Sequence, residues 1–443
     1  MKKLFAFILA AALLLVLLPT GVIASAEIVK SGECGDDLTW EIDSDGNLTI
    51  TGTGDMWNCS RYAVVGEALP WSEEAKTLTV CSGVTSIGPY AFINCAALTK
   101  ATLPDSLTSI GYAAFERCVA LADITLPDTI TNIDSLSFSG CESLTDFSIP
   151  ESVTSIGGYA FSGTGYYKDE SNWEGDALYN GRWLLSVKRT VSGSYAVKDG
   201  TFGIAGCAFD RCCDLTSVSI PDGVMSIGVN AFYRCDGLTV ISIPDTVKQI
   251  DDGAFLGCHG LESVKLPDGL TAIWHDMFSN CFNLTYITIP KSVVNIGINA
   301  FNLCKSLTSV TIPYGVKSIA ACAFRGCSSL SNVVIPASVT EIVEDAFSDC
   351  GSLTLGVYEN TYAHRYAIEN NIPFDLLKLV KGDPDGDGEI TVSDALDALR
   401  VAAKLAEPTP ELLACCDIDG DGEITVSDAL AILRVAAKLA EAL

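Results

Sequence analysis

Two stretches near the C-terminus carry oxygen ligands at a spacing that selects a hard cation. In the first, Asp383, Asp385, Asp387, Glu389, Thr391 and Asp394 fill positions 1, 3, 5, 7, 9 and 12 of a twelve-residue loop, with Gly388 at position 6. In the second, Asp417, Asp419, Asp421, Glu423, Thr425 and Asp428 fill the same slots, with Gly422 at position 6. A calcium loop needs side-chain oxygens at 1, 3, 5 and 12, a backbone carbonyl at 7, often a water held at 9, and glycine for the sharp turn at 6. Chance acidic clusters do not keep all these slots twice, so two bound Ca2+ ions are expected. The last 63 residues crowd 14 carboxylates against 5 basic side chains, a balance that calls for a cation.

Each loop needs an element to hold it. A helix follows the first loop in "SDALDALRVAAKLAE", with apolar residues at 396, 399, 402 and 403. The segments ahead of the loops, "FDLLKLVKG" after Pro373 and "PTPELLACC", are too short to complete an ordinary helix–loop–helix hand. Two loop–helix halves joined by a proline-marked linker then form one small module. Ion binding must supply much of its folding free energy, because so small a core is marginal. Residues 382–407 and 416–441 match at 22 of 26 positions, so the module is nearly two-fold symmetric.

This module, residues 379–443, resembles a type I dockerin, the docking module of cellulosomal proteins. The resemblance implies a cohesin module on a scaffold protein as partner. It also implies recognition by Val392, Ser393, Leu399, Arg400 and Lys404 in the first half. In the second half these become Val426, Ser427, Leu433, Arg434 and Lys438, an identical set that permits docking in either orientation. Val392 and Val426 depart from the Ser-Thr pair of the best-known clostridial examples.

The remainder of the chain is dominated by another repeat. Phenylalanine recurs with a period of 23 at 92, 115, 138 and 161, and again at 209, 232, 255, 278, 301, 324 and 347. A fixed period in this range means a solenoid. In "LTSVTIP" apolar and polar residues alternate, which predicts a short strand with one buried face, ended by proline. "VKSIAACAF" reads as a looser turn burying Val316, Ile319 and Phe324. One repeat cannot cover its own apolar face, but stacked neighbours can. Cysteine follows the phenylalanine by three positions in ten of the eleven repeats, Thr164 being the exception. Side chains in a parallel ladder point the same way, a poor disulfide geometry. The cysteines therefore read as small buried hydrophobes, with pairing as the alternative. Outward strand positions such as Lys100, Thr102, Asp123, Thr125, Ser217, Ser219, Tyr286 and Thr288 offer either a polar binding face or a solvated one.

The repeat resembles the BspA-like leucine-rich repeat family of bacterial surface proteins. That resemblance implies an N-terminal β cap at 27–72, a solenoid at 73–352 and a C-terminal cap at 353–378. An insertion at 162–200 breaks the period. It contains a hairpin, "LYNGRWLL", and the aromatics Tyr166, Tyr167, Trp173 and Trp183, which either pack the hairpin down or stack on sugars. The expected architecture is an α/β leucine-rich-repeat solenoid of parallel strands, capped at both ends, plus a small all-α dockerin of two calcium loop–helix motifs.

Composition narrows the function. Residues 1–26 read as a signal peptide: Lys2 and Lys3, an apolar run, then Ala24-Ser25-Ala26. No later segment is apolar enough to span a membrane. The net charge of −28 argues against nucleic acid and anionic lipid as partners. His259, His275 and His364 lie on different repeats and the cap without metal-ligand spacing, and no phosphate loop or nucleophile elbow is present. The expectation is a secreted, extracellular protein, at the cell surface or on a cellulosome-like complex. It is non-catalytic, and its solenoid binds a protein or glycan. The alternatives are a surface-displayed adhesin and a polysaccharide-active enzyme.

Overall fold

The computed structural model describes residues 26–59, 69–378, 380–384, 389–408 and 410–439. The expected signal segment, apart from Ala26, lies outside these. Among the described residues no helix is long and apolar enough to cross a membrane.

The chain starts as an antiparallel meander of Ile28–Gly35, Leu38–Asp43 and Asn47–Gly52. Asp43 Oδ1 closes the second turn by accepting the amides of Asp45 and Asn47, each at 2.9 Å. Asn47–Gly52 then pairs in parallel with Thr77–Val80, and from there the strands of the repeats pair in parallel, the inserted hairpin excepted. The result is a parallel-strand solenoid of about 13 turns with a 23-residue period.

Most turns carry two strands, where the sequence shows one. The predicted strand forms the longer ladder, as in Tyr286–Thr288, Ser309–Thr311 and Asn332–Val334. The stretch expected to be a loose turn contributes a second ladder only two residues wide. Ser109–Ile110, Asn132–Ile133 and Ser155–Ile156 pair in strict register, isoleucine beside isoleucine.

The phenylalanine turn is hydrogen-bonded to its neighbours too. Residues two before and two after the phenylalanine adopt left-handed backbone, as at Ala113 (φ 52°) and Arg117 (φ 58°) around Phe115. This alternation turns the amides of Ala113, Phe115 and Arg117 toward the next repeat. They donate to the carbonyls of Ser135, Ser137 and Ser139 at 2.9, 2.7 and 2.7 Å. Inside this layer the phenylalanine rings stack in two columns, with centroids 5.1–5.4 Å apart from Phe92 to Phe161. From Phe209 to Phe347 the spacing is 4.8–5.5 Å.

The ladder cysteines have a role that their spacing does not announce. Cys258 Sγ donates to the carbonyl of Phe232, in the preceding repeat, at 3.0 Å, and Cys118, Cys141, Cys235, Cys281, Cys304, Cys327 and Cys350 do the same. A buried carbonyl is thereby satisfied at each step.

The insertion interrupts both columns. A one-turn helix, α1 (Gly165–Lys168), leads to an antiparallel hairpin of Ala177–Asn180 and Trp183–Val187, with Gly181 at φ 57° in its turn. Trp183 is buried, and the Tyr166 hydroxyl donates to the Tyr179 carbonyl at 2.6 Å. Phe147 covers the end of the first column, stacking on Phe161 at 4.5 Å, and Tyr195 abuts Phe209 edge-on at 5.5 Å. The solenoid therefore holds two apolar cores that meet at this seam.

At the far end Thr354–Tyr358 continues the sheet, and helix α2 (Tyr362–Glu369) buries Ala363, Tyr366 and Ala367 over the last repeat. Phe374–Leu377 then pairs with Thr354–Tyr358 in parallel. Beyond it lie helices α3 (Val392–Ala402), α4 (Pro410–Cys416) and α5 (Val426–Ala436).

A candidate calcium-dependent docking module

Helices α3 and α5 pack on each other, and α4 adds Leu412, Cys415 and Cys416 to their shared core. The segment ahead of the second loop is thus a short helix. The buried face of α3 is Ala395, Ala398 and Val401, and that of α5 includes Ala429 and Ile432. This corrects the helix register read from the sequence, which placed the apolar stripe on 396, 399, 402 and 403. Small alanines face inward because the helices approach closely, and the leucines are left outside. Leu399 is 40% exposed and Leu433 37% exposed.

The second loop is described in full. Asp417 Oδ1 accepts the amides of Gly420 and Asp421 at 2.7 and 3.1 Å, and its Oδ2 accepts that of Gly422 at 2.9 Å. Asp419 takes the Asp421 amide at 3.2 Å, and Asp421 takes the Glu423 amide at 2.9 Å. Gly420 and Gly422 hold φ of 79° and 89°, the left-handed turns that keep the loop tight. The loop brings Asp417, Asp419 and Asp421 together, with one oxygen of each lying within 4.8 Å of the others. The Asp421 amide lowers the pKa of Asp419, but burial and the carboxylates of Asp421, Asp428 and Asp417 outweigh it and push Asp419 up. Like charges crowded this way favour a bound cation.

Asp428 stands apart from that cluster. It is buried, and its Oδ2 accepts from the Thr425 amide at 2.9 Å and the Thr425 hydroxyl at 2.7 Å, forming a capping box for α5. Its Oδ1 accepts the amides of Ile418 and Asp419 at 2.8 and 3.3 Å. Burial raises its pKa, but these hydrogen bonds outweigh that and hold it below the ordinary carboxylate value. The position-12 residue therefore ties the loop to its helix.

In the first loop Asp383 and Asp394 are buried, and Asp394 Oδ2 accepts from the amide and hydroxyl of Thr391 at 2.6 and 2.8 Å. Asp385, Asp387 and Gly388 lie outside the described residues. Lys381 Nζ links the halves by donating to the carbonyls of Asp417 and Ile418 at 3.1 and 3.4 Å. The donor sets are hard oxygens throughout and fit calcium.

The expected recognition residues occupy corresponding positions on the two helices, Ser393 and Arg400 of the first lining a groove shared with Thr288, Tyr314 and Lys317 of the solenoid. Val392 and Val426 are each 62% exposed, and Arg400, Lys404, Arg434 and Lys438 are exposed. Ser393 is half-buried and Ser427 exposed. A further difference separates the faces: Arg400 donates to Asp397 at 3.0 Å, whereas Ala431 stands in the place of Asp397 beside Arg434.

On the solenoid the sequence-picked strand positions, from Lys100 to Thr288, point outward, Ser217 being half-buried. The histidines take packing or surface roles. His259 stacks on Phe282 at 4.6 Å with Nδ1 3.0 Å from Asp236, and His364 Nδ1 accepts the Asn360 amide at 3.2 Å.

Comparison with known proteins matches this division. The family model for the dockerin type I domain matches residues 381–434. Among solved structures, a leucine-rich repeat protein from Eubacterium ventriosum ATCC 27560 is 25% identical, covering 72% of this chain and 94% of that one, with a TM-score of 0.39. One from Bacteroides ovatus ATCC 8483 is 24% identical, covering 78% and 99%, with a TM-score of 0.38. The pneumococcal vaccine antigen PcpA is 15% identical, covering 80% and 100%, with a TM-score of 0.35. No curated protein matches. The family model for the BspA type leucine rich repeat region matches residues 67–169, 195–305 and 225–354, in six copies, and skips the inserted hairpin. The chain belongs to the BspA-type leucine-rich repeat family and carries a type I dockerin domain at its C-terminal end.

Proposed function

We propose that this chain is a secreted, non-catalytic accessory protein that docks through its C-terminal module onto a cohesin-bearing scaffold of a polysaccharide-degrading complex. Its solenoid presents a protein- or glycan-binding surface to that complex. The observation that carries this reading is the pair of near-identical loop–helix halves, each leaving a valine, a leucine, an arginine and a lysine exposed at the same offsets.

In this reading Asp383, Asp385, Asp387 and Asp394 supply side-chain oxygens to one Ca2+, Glu389 its carbonyl, and Thr391 an ordered water. Asp417, Asp419, Asp421 and Asp428, with Glu423 and Thr425, do the same for the second. Bound calcium neutralises the carboxylates and fixes each loop at the N-terminus of its helix. Val392, Ser393, Leu399, Arg400 and Lys404 form one docking face, and Val426, Ser427, Leu433, Arg434 and Lys438 the other. The test is surface plasmon resonance of the full chain on an immobilised type I cohesin, with circular dichroism alongside. Chelation should abolish binding and remove helical signal. Undiminished binding in excess chelator would refute the reading.

A further inference from the structure

Residue types change along the solenoid where the docking module comes back against it. The residue after the strand-ending proline is acidic at 105, 128, 151, 222, 245 and 268, and in the last three repeats it becomes Lys291, Tyr314 and Ala337. A row of carboxylates is thus replaced by a cation, an aromatic ring and a methyl group. Lys317 adds a second cation three residues beyond Tyr314. The module that meets them carries 14 carboxylates against 5 basic side chains in the last 63 residues. The earlier acidic row would repel it, and this stretch does not.

The contact has a definite place. Tyr314 packs against the core that α3, α4 and α5 share. Beside it runs a groove of about 790 Å³, with Lys291 and Lys317 on the solenoid wall and Asp397 and Glu407 on the module wall. Ser393, Arg400 and Val401 line the same groove. The two halves of the module differ accordingly. Val401 is buried where its counterpart Val435 is half-buried, and Ser393 is half-buried where Ser427 is exposed. A gap of this volume is of small-ligand size, about 300–1,000 Å³. Water reaches the residues inside it, but a folded partner domain does not fit. Only residues 378–381 lie between the Phe374–Leu377 strand and Gly382, whose amide donates to the Cys415 carbonyl at 2.8 Å within the module. So short a tether keeps a lifted module close to the same surface.

We infer that the last repeats are a seat for the docking module, and that the seated module offers a cohesin its second face alone. This rests on the proposed docking role and adds a choice of face to it. Docking through Val426, Leu433 and Arg434 leaves the module on the solenoid. Docking through the first face requires it to lift, because Ser393 and Arg400 are reached only then. Exposed charges and one half-buried ring hold the seat, so lifting costs little affinity. The two orientations differ in shape instead, one complex closed and the other open.

The test couples carboxylates to amines in the full chain, in calcium, with a zero-length carbodiimide, and reads the products by peptide mass spectrometry. The free chain should yield a link from Lys291 or Lys317 to Asp397 or Glu407. Tyr314→Asp, which restores the acid of the earlier repeats, should remove most of that link and keep the wild-type melting temperature. Leu433→Ala with Arg434→Ala confines a type I cohesin to the first face, and adding the cohesin should then abolish the link. Leu399→Ala with Arg400→Ala confines it to the second face, and the link should persist. Calorimetry alongside reads cohesin binding by each chain. With cohesin binding intact, absence of the link from the free chain overturns the inference. Survival of the link in the first cohesin-bound variant, or its loss in the second, overturns it as well. A wild-type chain that yields the link but binds no cohesin refutes the docking role, and the choice of face with it.

Discussion

Duplicated docking faces make a quantitative prediction. Changing Leu399 and Arg400 together to alanine removes one apolar anchor and one cationic donor from the first face. Leu399 is 40% exposed, so a partner can cover about 70 Å² of it, worth about 1.8 kcal/mol at ~25 cal/mol/Å². A hydrogen bond from Arg400 to a charged group adds about 1.5–3 kcal/mol. Part of this is offset by the bond to Asp397 at 3.0 Å that Arg400 must share. The orientation using this face should therefore lose about 3 kcal/mol, the sum of these contributions after that offset. The rotated orientation, resting on Leu433 and Arg434, is untouched. Removing one of two equal modes costs only RT ln 2, about 0.4 kcal/mol. Calorimetric titration of a type I cohesin should thus show each double variant near wild type and the quadruple variant down by the full amount. Because Ala431 replaces Asp397, Arg434 has no such bond to give up, and its double variant should be the weaker of the two. A double variant that alone matches the quadruple loss would show that the halves are not interchangeable.

Two further outcomes concern the solenoid. Phe255 is fully buried between Phe232 and Phe278, at centroid distances of 5.2 and 5.5 Å, so Phe255→Ala should cost about 3–5 kcal/mol in urea denaturation. A loss below about 1 kcal/mol would mean the column is not core, since burial of such a side chain alone is worth more. The thiols give a pH dependence: burial pushes Cys141 and Cys212 from the ordinary 9.0 up to about 12. Between those values the unfolded chain releases thiol protons that the fold retains, so stability is full below pH 9 and falls as pH rises toward 12. Denaturation midpoints flat across that window would contradict the burial of these groups in protonated form.

The period, the longer strand and the phenylalanine and cysteine columns were all legible, because each repeats a side-chain property along the chain. The second ladder was not, since Ser109–Ile110 and its counterparts are too short to show alternation. The left-handed positions left a trace that could have been read. Asn94, Gly140, Asn230, Gly253, Gly257, Asn280 and Gly326 all fall two residues from a phenylalanine, where only such residues sit without strain. The role of the thiols stayed hidden because their acceptor is a backbone carbonyl in another repeat. In the docking helices hydropathy pointed to the leucines, but the alanines are inside. A surface kept apolar for a partner imitates a core stripe.

The bonds between neighbouring turns in the phenylalanine layer have a bearing on how such a chain changes length. Alternate amides there are answered one repeat along, and eight of the ladder thiols one repeat back, by backbone carbonyls at equivalent positions. Excising or duplicating a whole 23-residue unit returns each donor to an equivalent acceptor, whereas any other length rotates the thiols and rings off their columns. The reach of the molecule is thus quantised in steps of about 5 Å, the spacing of adjacent strands. Slippage between repeats in the gene becomes a graded adjustment of size, and the insertion that carries Trp173 and Arg189 could persist only where it supplied its own paired hairpin to bridge the interrupted ladders.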